Sequence, residues 1–293
     1  MAATERTTIE KESSDAWRQF PWWLIAIIGF LMLMGYLLFA PAPINPETGE
    51  PGTNEYNAAF EFIVGGFGDP GELSEVSVID LIGKGITVTV YTTLVAFLIA
   101  MTLGLLAGLG RISHNIFIRN LATTYVEFIR GVPTLVLIFT LAFVLVPETA
   151  KALGVENNIP QNNRAIIALA VIYGAFLAEI FRAGIESIPK GQMEAARSLG
   201  MNYGQAMRHI ILPQAIRNIS PALGNDFIAM LKDSSLVSVL AVRDITQQAR
   251  LYAGSSFRFR ETYLVLTFLY LTMTLTLSLL LRWYERRIRS DER

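Results

Sequence analysis

The chain has 293 residues, of which 52% are apolar and only 17% are charged, and its formal net charge is −1. With a mean hydropathy of +0.42, this composition excludes an ordinary soluble domain and predicts several membrane spans. The absence of cysteine excludes disulfides and thiolate metal sites, and two histidines in predicted cytoplasmic loops give no support for a metal site. Basic and aromatic residues form no common face, so nucleic-acid binding is not predicted.

The N-terminal segment 1–20 is polar and mixed in charge, which predicts a loosely ordered cytoplasmic tail. Residues 22–39 carry no charge and are long enough to cross the hydrocarbon core, so we predict an extra N-terminal transmembrane helix over 21–40. A cleavable signal peptide is the alternative, suggested by the motif Ala40-Pro-Ala42. The acidic residues ahead of the apolar run argue against that alternative.

Residues 41–84 contain eight acidic residues and a single lysine among several prolines and glycines. This composition predicts a loop outside the cytoplasm. A solvated loop is the simpler interpretation, and an acidic lip that attracts cations is the alternative.

The second predicted span, 85–110, carries Gly104 and Gly108 at a spacing that allows another helix to approach closely. A basic turn facing the cytoplasm follows it. The third predicted span, 121–146, is interrupted at 130–133 because Pro133 lacks a backbone donor and Gly131 is flexible. A broken helix at membrane depth is tolerated where it packs in protein or lines a cavity.

The remaining pattern predicts an outside loop at 147–163, a fourth span at 164–188, a fifth at 213–241 that breaks before the outer surface, and a sixth at 262–281. About six spans place both termini, including the tail 286–293, in the cytoplasm. The predicted fold is therefore an all-α polytopic membrane protein. One outer loop conflicts with the positive-inside rule, because it carries four arginines: Arg243, Arg250, Arg258 and Arg260.

The polar stretch 187–213 between the fourth and fifth spans predicts two short helices outside the lipid. Pro189 opens the first helix, whose first turn is expected to carry Glu194, and Gly200 supplies the left-handed residue that ends it. Asn202 and Gln205 form a capping box that starts the second helix. Two alanines give the first helix a face of small side chains, against which another protein can pack closely: Ala195 and Ala196.

This stretch resembles the EAA loop of the membrane subunits of ATP-binding cassette importers, at Glu194-Ala195-Ala196, Gly200, Ile210, Leu212 and Pro213. The segments 125–133, 179–182 and 232–236 look like the polar amino acid uptake branch of that family. The resemblance covers roughly residues 80–288 and departs from the family pattern at Val132 and Leu137, where threonine and glutamine are usual. The simpler alternative is that 187–213 is an ordinary cytoplasmic loop of another polytopic protein.

The resemblance implies a type I importer transmembrane domain over 85–285, in a multi-pass subunit of a prokaryotic plasma membrane. It implies two cytosolic ATPase subunits, which bind ATP and magnesium, a second permease subunit that is identical or related, and an external binding protein that delivers an amino acid. The chain itself has no Walker A loop, so we expect no enzymatic activity and no cofactor in it. The ATPase is expected to dock on Gly191, Glu194, Ala195, Ala196, Leu199 and Gly200.

Ionisable residues within the predicted spans are costly unless they are paired or face water. Carboxylates such as Glu179 and Asp226 can hold an ammonium group, and a guanidinium such as Arg130 can hold the substrate carboxylate. Arg182 is a further candidate, but it lies three residues after Glu179, and the two can instead pair and lock the helix bundle.

A different class of protein stays open at this point. An ion-gradient-driven secondary transporter or channel would use Glu179 and Asp226 as proton or sodium sites, and it would need no docking surface on 187–213.

Overall fold

The computed structural model describes residues 22–42, 44, 52–65, 84–154 and 159–290. The predicted tail 1–20, most of the predicted loop 41–84 and the last three residues lie outside the described residues. In chain order the helices are α1 (Trp22–Phe39), α2 (Glu55–Gly65), α3 (Lys84–Arg111), α4 (Ile116–Gly131), α5 (Thr134–Phe139), α6 (Val146–Ala152), α7 (Gln161–Glu186), α8 (Lys190–Ser198), α9 (Tyr203–Ala206), α10 (Leu212–Asp233), α11 (Ile245–Ser256) and α12 (Phe259–Ser290).

Two π-helical segments and one 3-10 helix connect some of these helices: Thr140–Leu145 between α5 and α6, Met207–Ile211 between α9 and α10, and Ser234–Leu240 after α10. The predicted all-α membrane fold is confirmed. Within the described residues, four helical stretches are long and apolar enough to cross a membrane: Gly85–Arg111, Thr134–Ala152, Gln161–Glu186 and Phe259–Arg287. The N-terminal helix is apolar but shorter, and α10 carries several charges, so a count of six spans stays a prediction.

The third predicted span is divided into two helices. The chain breaks at Val132 and Pro133, where both residues are extended, with ψ angles of 139° and 136°. Proline lacks an N–H donor and disfavours helical geometry in the residue before it. The break lies where the sequence predicts it, but the long apolar stretch begins after it, at Thr134, because α4 carries charged residues. The predicted outer loop 147–163 therefore begins with α6.

Helices α3 and α7 pack against each other without room for additional atoms. A Cβ atom added at Gly104 would lie 2.7 Å from the Leu177 Cβ, and one at Gly108 would lie 2.9 Å from the Ala178 carbonyl oxygen. Gly174 on α7 faces α3 at the same contact, where an added Cβ would lie 3.0 Å from the Leu103 Cβ. The small-residue spacing on the second predicted span therefore marks a real helix contact.

Beyond α10 the chain turns back on itself. The predicted break is present: α10 ends at Asp233, the 3-10 helix follows, and Ala241 closes it in the left-handed region with φ 56°. The sequence predicted an outer loop over 242–261, but α11 lies within it. Asp244 begins α11 by accepting a hydrogen bond from the Gln247 amide at 2.9 Å.

Two asparagines join α1 to α2: Asn57 donates to the Leu38 carbonyl oxygen at 3.3 Å, and Asn54 makes the larger number of bonds. The Asn54 side chain donates to the carbonyl oxygens of Leu37 at 2.9 Å and Ala40 at 2.8 Å, at the end of α1. Its Oδ1 accepts from the amides of Tyr56 and Asn57, at the start of α2. One side chain thus caps both helices.

Helix α2 packs against the later part of the chain and contacts two of the four arginines that conflict with the charge rule. Arg258 forms an ion pair with Glu55, and Arg260 donates to the Tyr56 hydroxyl at 3.1 Å. The fully buried Ile63 belongs to an apolar cluster that also includes residues of α11 and α12. Acidic and polar groups of the N-terminal unit therefore offset positive charge in this loop.

We expect Gly104→Ala to separate α3 from α7 and to lower the free energy of unfolding by about 1–3 kcal/mol, because the added Cβ overlaps Leu177. Gly35→Ala in α1 is the control, since nothing lies within 4 Å of its added Cβ. The control should change stability by about 1 kcal/mol or less. Thermal melting of the purified protein measures both, and equal melting midpoints would contradict the packing.

The Asp244 carboxyl group is 1% exposed, and its Oδ2 has no hydrogen-bond partner among the described residues. Burial raises the pKa of Asp244 to about 7, although the capping amides of Thr246 and Gln247 lower it. Near neutral pH the group is therefore close to half protonated.

Stability should depend on pH through Asp244. Its folded pKa of about 7 exceeds the unfolded value of about 4, so the folded state binds more protons between them. The free energy of unfolding falls as pH rises through this window, by up to about 1.4 kcal/mol per pH unit. Asp244→Asn keeps a capping oxygen but cannot ionise, and it should lose this slope. Melting midpoints of both proteins from about pH 4 to about pH 8 test this, and parallel curves would refute it.

Candidate coupling and substrate sites

Helix α8 begins after Pro189 and ends in a complete glycine cap. Gly200 has φ 86°, its amide donates to the Arg197 carbonyl oxygen at 3.0 Å, and the Met201 amide donates to the Ala196 carbonyl oxygen at 3.2 Å. These two bonds satisfy carbonyl groups at the helix end. Glu194 is the fifth residue of α8, and no acidic residue lies in the first turn. The expectation that the N-terminal dipole stabilises Glu194 was therefore wrong.

The second short helix starts as the sequence predicts. The Asn202 side chain accepts from the Gln205 amide at 2.9 Å, and the Gln205 side chain accepts from the Asn202 amide at 2.9 Å. The two helices stand on an apolar base at the ends of α7 and α10, built around Ile185, Ile188, Met207, Ile211 and Ala215. The stretch is therefore a rigid bent projection, attached directly to the long helices.

Five of the six predicted docking residues are exposed, and they form one surface along α8 and its end: Gly191, Glu194, Ala195, Leu199 and Gly200. Leu199 is 82% exposed, so its apolar side chain is available to a docking protein. Ala196 differs, because it is 4% exposed and packs inside its own chain. It supports the projection and does not line its outer surface.

A cleft of about 520 Å³ separates the second short helix from the turn between α3 and α4. Leu109, Ile112, Met207 and Leu212 line it, and the rings of His114 and Tyr203 meet across it with centroids 6.2 Å apart. The projection and the α3–α4 turn therefore share one end of the molecule.

Three of the four predicted substrate residues lie together. Glu179 Oε1 is 2.5 Å from Arg111 Nη1 and 3.1 Å from Arg130 Nη1, while its Oε2 is 3.0 Å from Arg182 Nε. The side chain of Glu179 is 22% exposed. One carboxylate thus joins arginines from α3, α4 and α7.

Two further carboxylates complete this cluster, which we call the Glu179 hub: Arg111, Glu127, Arg130, Glu179, Arg182 and Glu186. Glu127 lies 3.4 Å from Arg111, and Glu186 lies 2.8 Å from Arg182. The hub therefore has equal numbers of positive and negative groups. The sequence indicated the pairing of Glu179 with Arg182 but gave no signal for Arg111, which lies 68 residues away.

Asp226 lies outside the Glu179 hub, on a half-buried face of α10. Asp233 follows it by seven residues, which places both carboxylates on the same face two turns apart. The Tyr173 hydroxyl of α7 donates to Asp233 Oδ2 at 2.9 Å. Sequence reasoning missed Asp233 and Tyr173, although the spacing of the two aspartates along one helix could have indicated the first.

No group of three or more histidine, cysteine, aspartate or glutamate residues with the geometry of a metal site occurs in the described residues. The arrangement offers ionic and hydrogen-bonding contacts at two places, the Glu179 hub and the Asp226–Asp233 face.

The chain matches, over residues 100–290, the family described as binding-protein-dependent transport system inner membrane component. It belongs to this family. The match includes the bent projection, the hub and the Asp226–Asp233 face, so the resemblance inferred from the EAA loop is confirmed. The N-terminal unit lies ahead of the matched residues.

Named members of this permease family are similar to the chain. The probable glutamine ABC transporter permease protein GlnM of Bacillus subtilis is 40% identical over 202 residues, which are 68% of this chain and 90% of GlnM. The arginine transport system permease protein ArtQ of the same organism is 33% identical over 214 residues, 73% of this chain and 95% of ArtQ.

A solved permease has the same fold. The crystal structure of an amino acid ABC transporter with histidines contains a chain that is 43% identical, with a TM-score of 0.59, over 68% of this chain and 90% of that chain.

Proposed function

We propose that this chain is the membrane-spanning subunit of an ATP-driven importer of polar or charged amino acids. The single observation that carries the proposal is the doubly capped projection 187–213, with its exposed docking surface and apolar base. The amino acid transport named for GlnM and ArtQ supports the substrate class. A gradient-driven transporter or channel would have no use for this projection.

The partners in this proposal are two cytosolic ATPase subunits, a second permease subunit and an external binding protein. ATP and magnesium bind to the ATPases, and this chain performs no catalysis. The ATPases dock on the surface formed by Gly191, Glu194, Ala195, Leu199 and Gly200. A partner that binds this surface differently in two states shifts the population between them.

Movement of the docked ATPases reaches the spans through the apolar base. Ile185 lies at the end of α7 and Ile188 just after it, while Ile211 directly precedes α10 and Ala215 lies in its first turn, so a displacement of α8 moves both helices. Access then alternates between the two sides of the membrane. The proposed setting is a bacterial plasma membrane with both termini in the cytoplasm, and arginines at the end of α12 agree with this orientation.

Among the candidate substrate residues we favour Asp226, with Asp233 and Tyr173 beside it. A carboxylate on a half-buried face can hold an α-ammonium group or a basic side chain, and Asp233 offers a second one about 10 Å along the same helix. Arg130, Glu179 and Arg182 already satisfy one another, and Arg130 could reach a substrate carboxylate only by leaving Glu179. We therefore propose these three as ties between helices.

We expect Glu194→Lys and Gly200→Val to assemble in the membrane but to uncouple ATP hydrolysis from uptake. Glu194→Lys reverses the charge on the docking surface. Gly200→Val places a β-branched residue in left-handed backbone geometry, which costs about 1–3 kcal/mol. Glu148→Lys, the same charge reversal on exposed α6, is the control. The measurement is ATP-driven uptake and ATPase activity of each variant in proteoliposomes.

Uptake at the wild-type rate by both variants would exclude docking at this surface. Copurification gives a separate test of the whole proposal: a tightly bound ATPase is expected, and ATP-independent uptake without it would favour a gradient-driven transporter.

Asp226→Asn should weaken substrate binding by about tenfold to a hundredfold, because it removes a charged hydrogen-bond partner. The measurement is the half-saturating substrate concentration for uptake, with assembly checked by size-exclusion chromatography. Glu148→Asn removes an acid from exposed α6 and should leave this value unchanged. An unchanged value with every amino acid tested would remove Asp226 from the substrate site.

A further inference from the structure

Helices α3 and α7 form a fixed pair at the Glu179 hub. Gly108 leaves no gap against the Ala178 carbonyl oxygen and the Phe181 Cβ, and these two residues directly precede Glu179 and Arg182. Arg111, at the end of α3, is 13% exposed and bonds Glu179 at 2.5 Å. A relative movement of these two helices would require both the steric contact and the buried ion pair to break.

Helix α4 makes fewer buried contacts with the fixed pair. Besides the Arg130–Glu179 pair, one ion pair joins it to α3, between Glu127 and Arg111 at 3.4 Å, and the Glu127 side chain is 61% exposed. The helix buries only Ala122, Val126 and Ile129, and its Tyr125 hydroxyl donates to the Val171 carbonyl oxygen of α7 at 2.6 Å. Large apolar side chains on its other faces are exposed: Ile116, Phe117, Ile118, Leu121 and Phe128. Little of its surface is therefore committed to the rest of the chain.

Both ends of α4 are interruptions in the helical backbone. Asn115, before its first residue, is extended with ψ 115°, and Val132, after its last, is extended with ψ 139°. Non-helical residues at element ends are the positions that absorb a hinge rotation. At its first end α4 also borders the cleft of about 520 Å³ beside the projection, which leaves space there.

The three arginines of the hub differ in the free energy needed to break their contact with Glu179. Arg182 is on the same helix as Glu179 and moves with it, and Arg111 is buried on the fixed partner. Arg130 is 44% exposed, bonds Glu179 at 3.1 Å and lies on α4 directly before the extended segment. If Arg130 leaves, Glu179 keeps two cationic partners, so no buried charge is left without compensation. An ion pair this exposed contributes little free energy.

We propose that α4 moves as a separate element during the transport cycle and that the Arg130–Glu179 ion pair is its releasable latch. The proposal rests on the proposed importer function. Arg130 acts as a positioning residue: it holds α4 against the fixed pair in the latched state, and Arg111 keeps Glu179 in place when the latch opens.

The cysteine-free chain allows a direct test with paired cysteines. An added Cβ at Gly110 lies 3.0 Å from the Ala122 Cβ, so Gly110→Cys with Ala122→Cys can bond α4 to α3 after a shift of a few tenths of an ångström. The control is each single variant, Gly110→Cys or Ala122→Cys, which carries one of the two substitutions and cannot bond α4 to α3. We expect the disulfide to abolish ATP-driven uptake in proteoliposomes, and reduction to restore it.

Each single variant leaves α4 free to move, so it should transport equally well under oxidising and reducing conditions. Equal uptake by the oxidised and reduced 110–122 pair would overturn the proposal. This outcome is distinct from failure of the importer function, in which uptake would not require ATP in the wild-type protein.

A second comparison removes one guanidinium at a time from Glu179, and it decides the matter if a cysteine pair fails to assemble. Arg130→Gln should raise ATP hydrolysis without substrate by about fivefold, the effect of one exposed ion pair on a population, and leave the melting midpoint unchanged. Arg130→Lys should restore the low rate. Arg111→Gln should lower the melting midpoint, because Arg111 is only 13% exposed and pairs with both Glu179 and Glu127, so two carboxylates lose a partner. The latch would be excluded if Arg130→Gln and Arg111→Gln lowered the melting midpoint equally and left ATP hydrolysis unchanged.

Discussion

The contact between α3 and α7 sets the positions of the charged groups in this protein. In a bilayer, helices gain little by burying apolar side chains, because lipid is equally apolar, so association depends on close van der Waals packing. Glycines at the contact bring the two backbones together and fix their register. Since one helical turn is about 5.4 Å, a slip of one turn would take Arg111 out of reach of Glu179.

The hub and the Asp226–Asp233 face differ in how their charges are compensated. The hub balances its charges internally and shares each carboxylate among neighbours, which suits a region that must resist water and ions while helices shift. Asp233 is hydrogen-bonded to the neutral Tyr173, and Asp226 lies on the same face. A face with unbalanced negative charge is attractive to a cation, and its own cost of burial falls when that cation arrives.

Local signals in the sequence were reliable because their physical causes are local. Pro133 interrupts the helix at its own position, Gly200 adopts the left-handed geometry that ends α8, and Asn202 caps α9 through the amide of Gln205, three residues away. The Glu194 error was of the same scale, since α8 begins one residue after Pro189 and leaves Glu194 beyond the first turn.

Contacts between residues far apart in the sequence could not be predicted from local signals. The hydrogen bond between Tyr173 and Asp233 spans 60 residues and depends on how α7 packs beside α10. Helix α2 was missed because acidic residues and glycines around it are typical of a loop, and it becomes helical where α11 and α12 give its apolar face a surface to cover. Neither arrangement has a sequence spacing that would reveal it.

The pairing of Tyr56 with Arg260 imposes an order on biosynthesis, because these residues are 204 positions apart. A ribosome that adds 5–20 residues per second needs about 10–40 s to make the intervening chain. Throughout that interval Ile63 lacks the part of its apolar cluster that α11 and α12 supply, and the Glu55 carboxylate lacks its partner Arg258. The first helices to be made are therefore among the last to reach their final neighbours, and a chaperone or insertase has time to engage them.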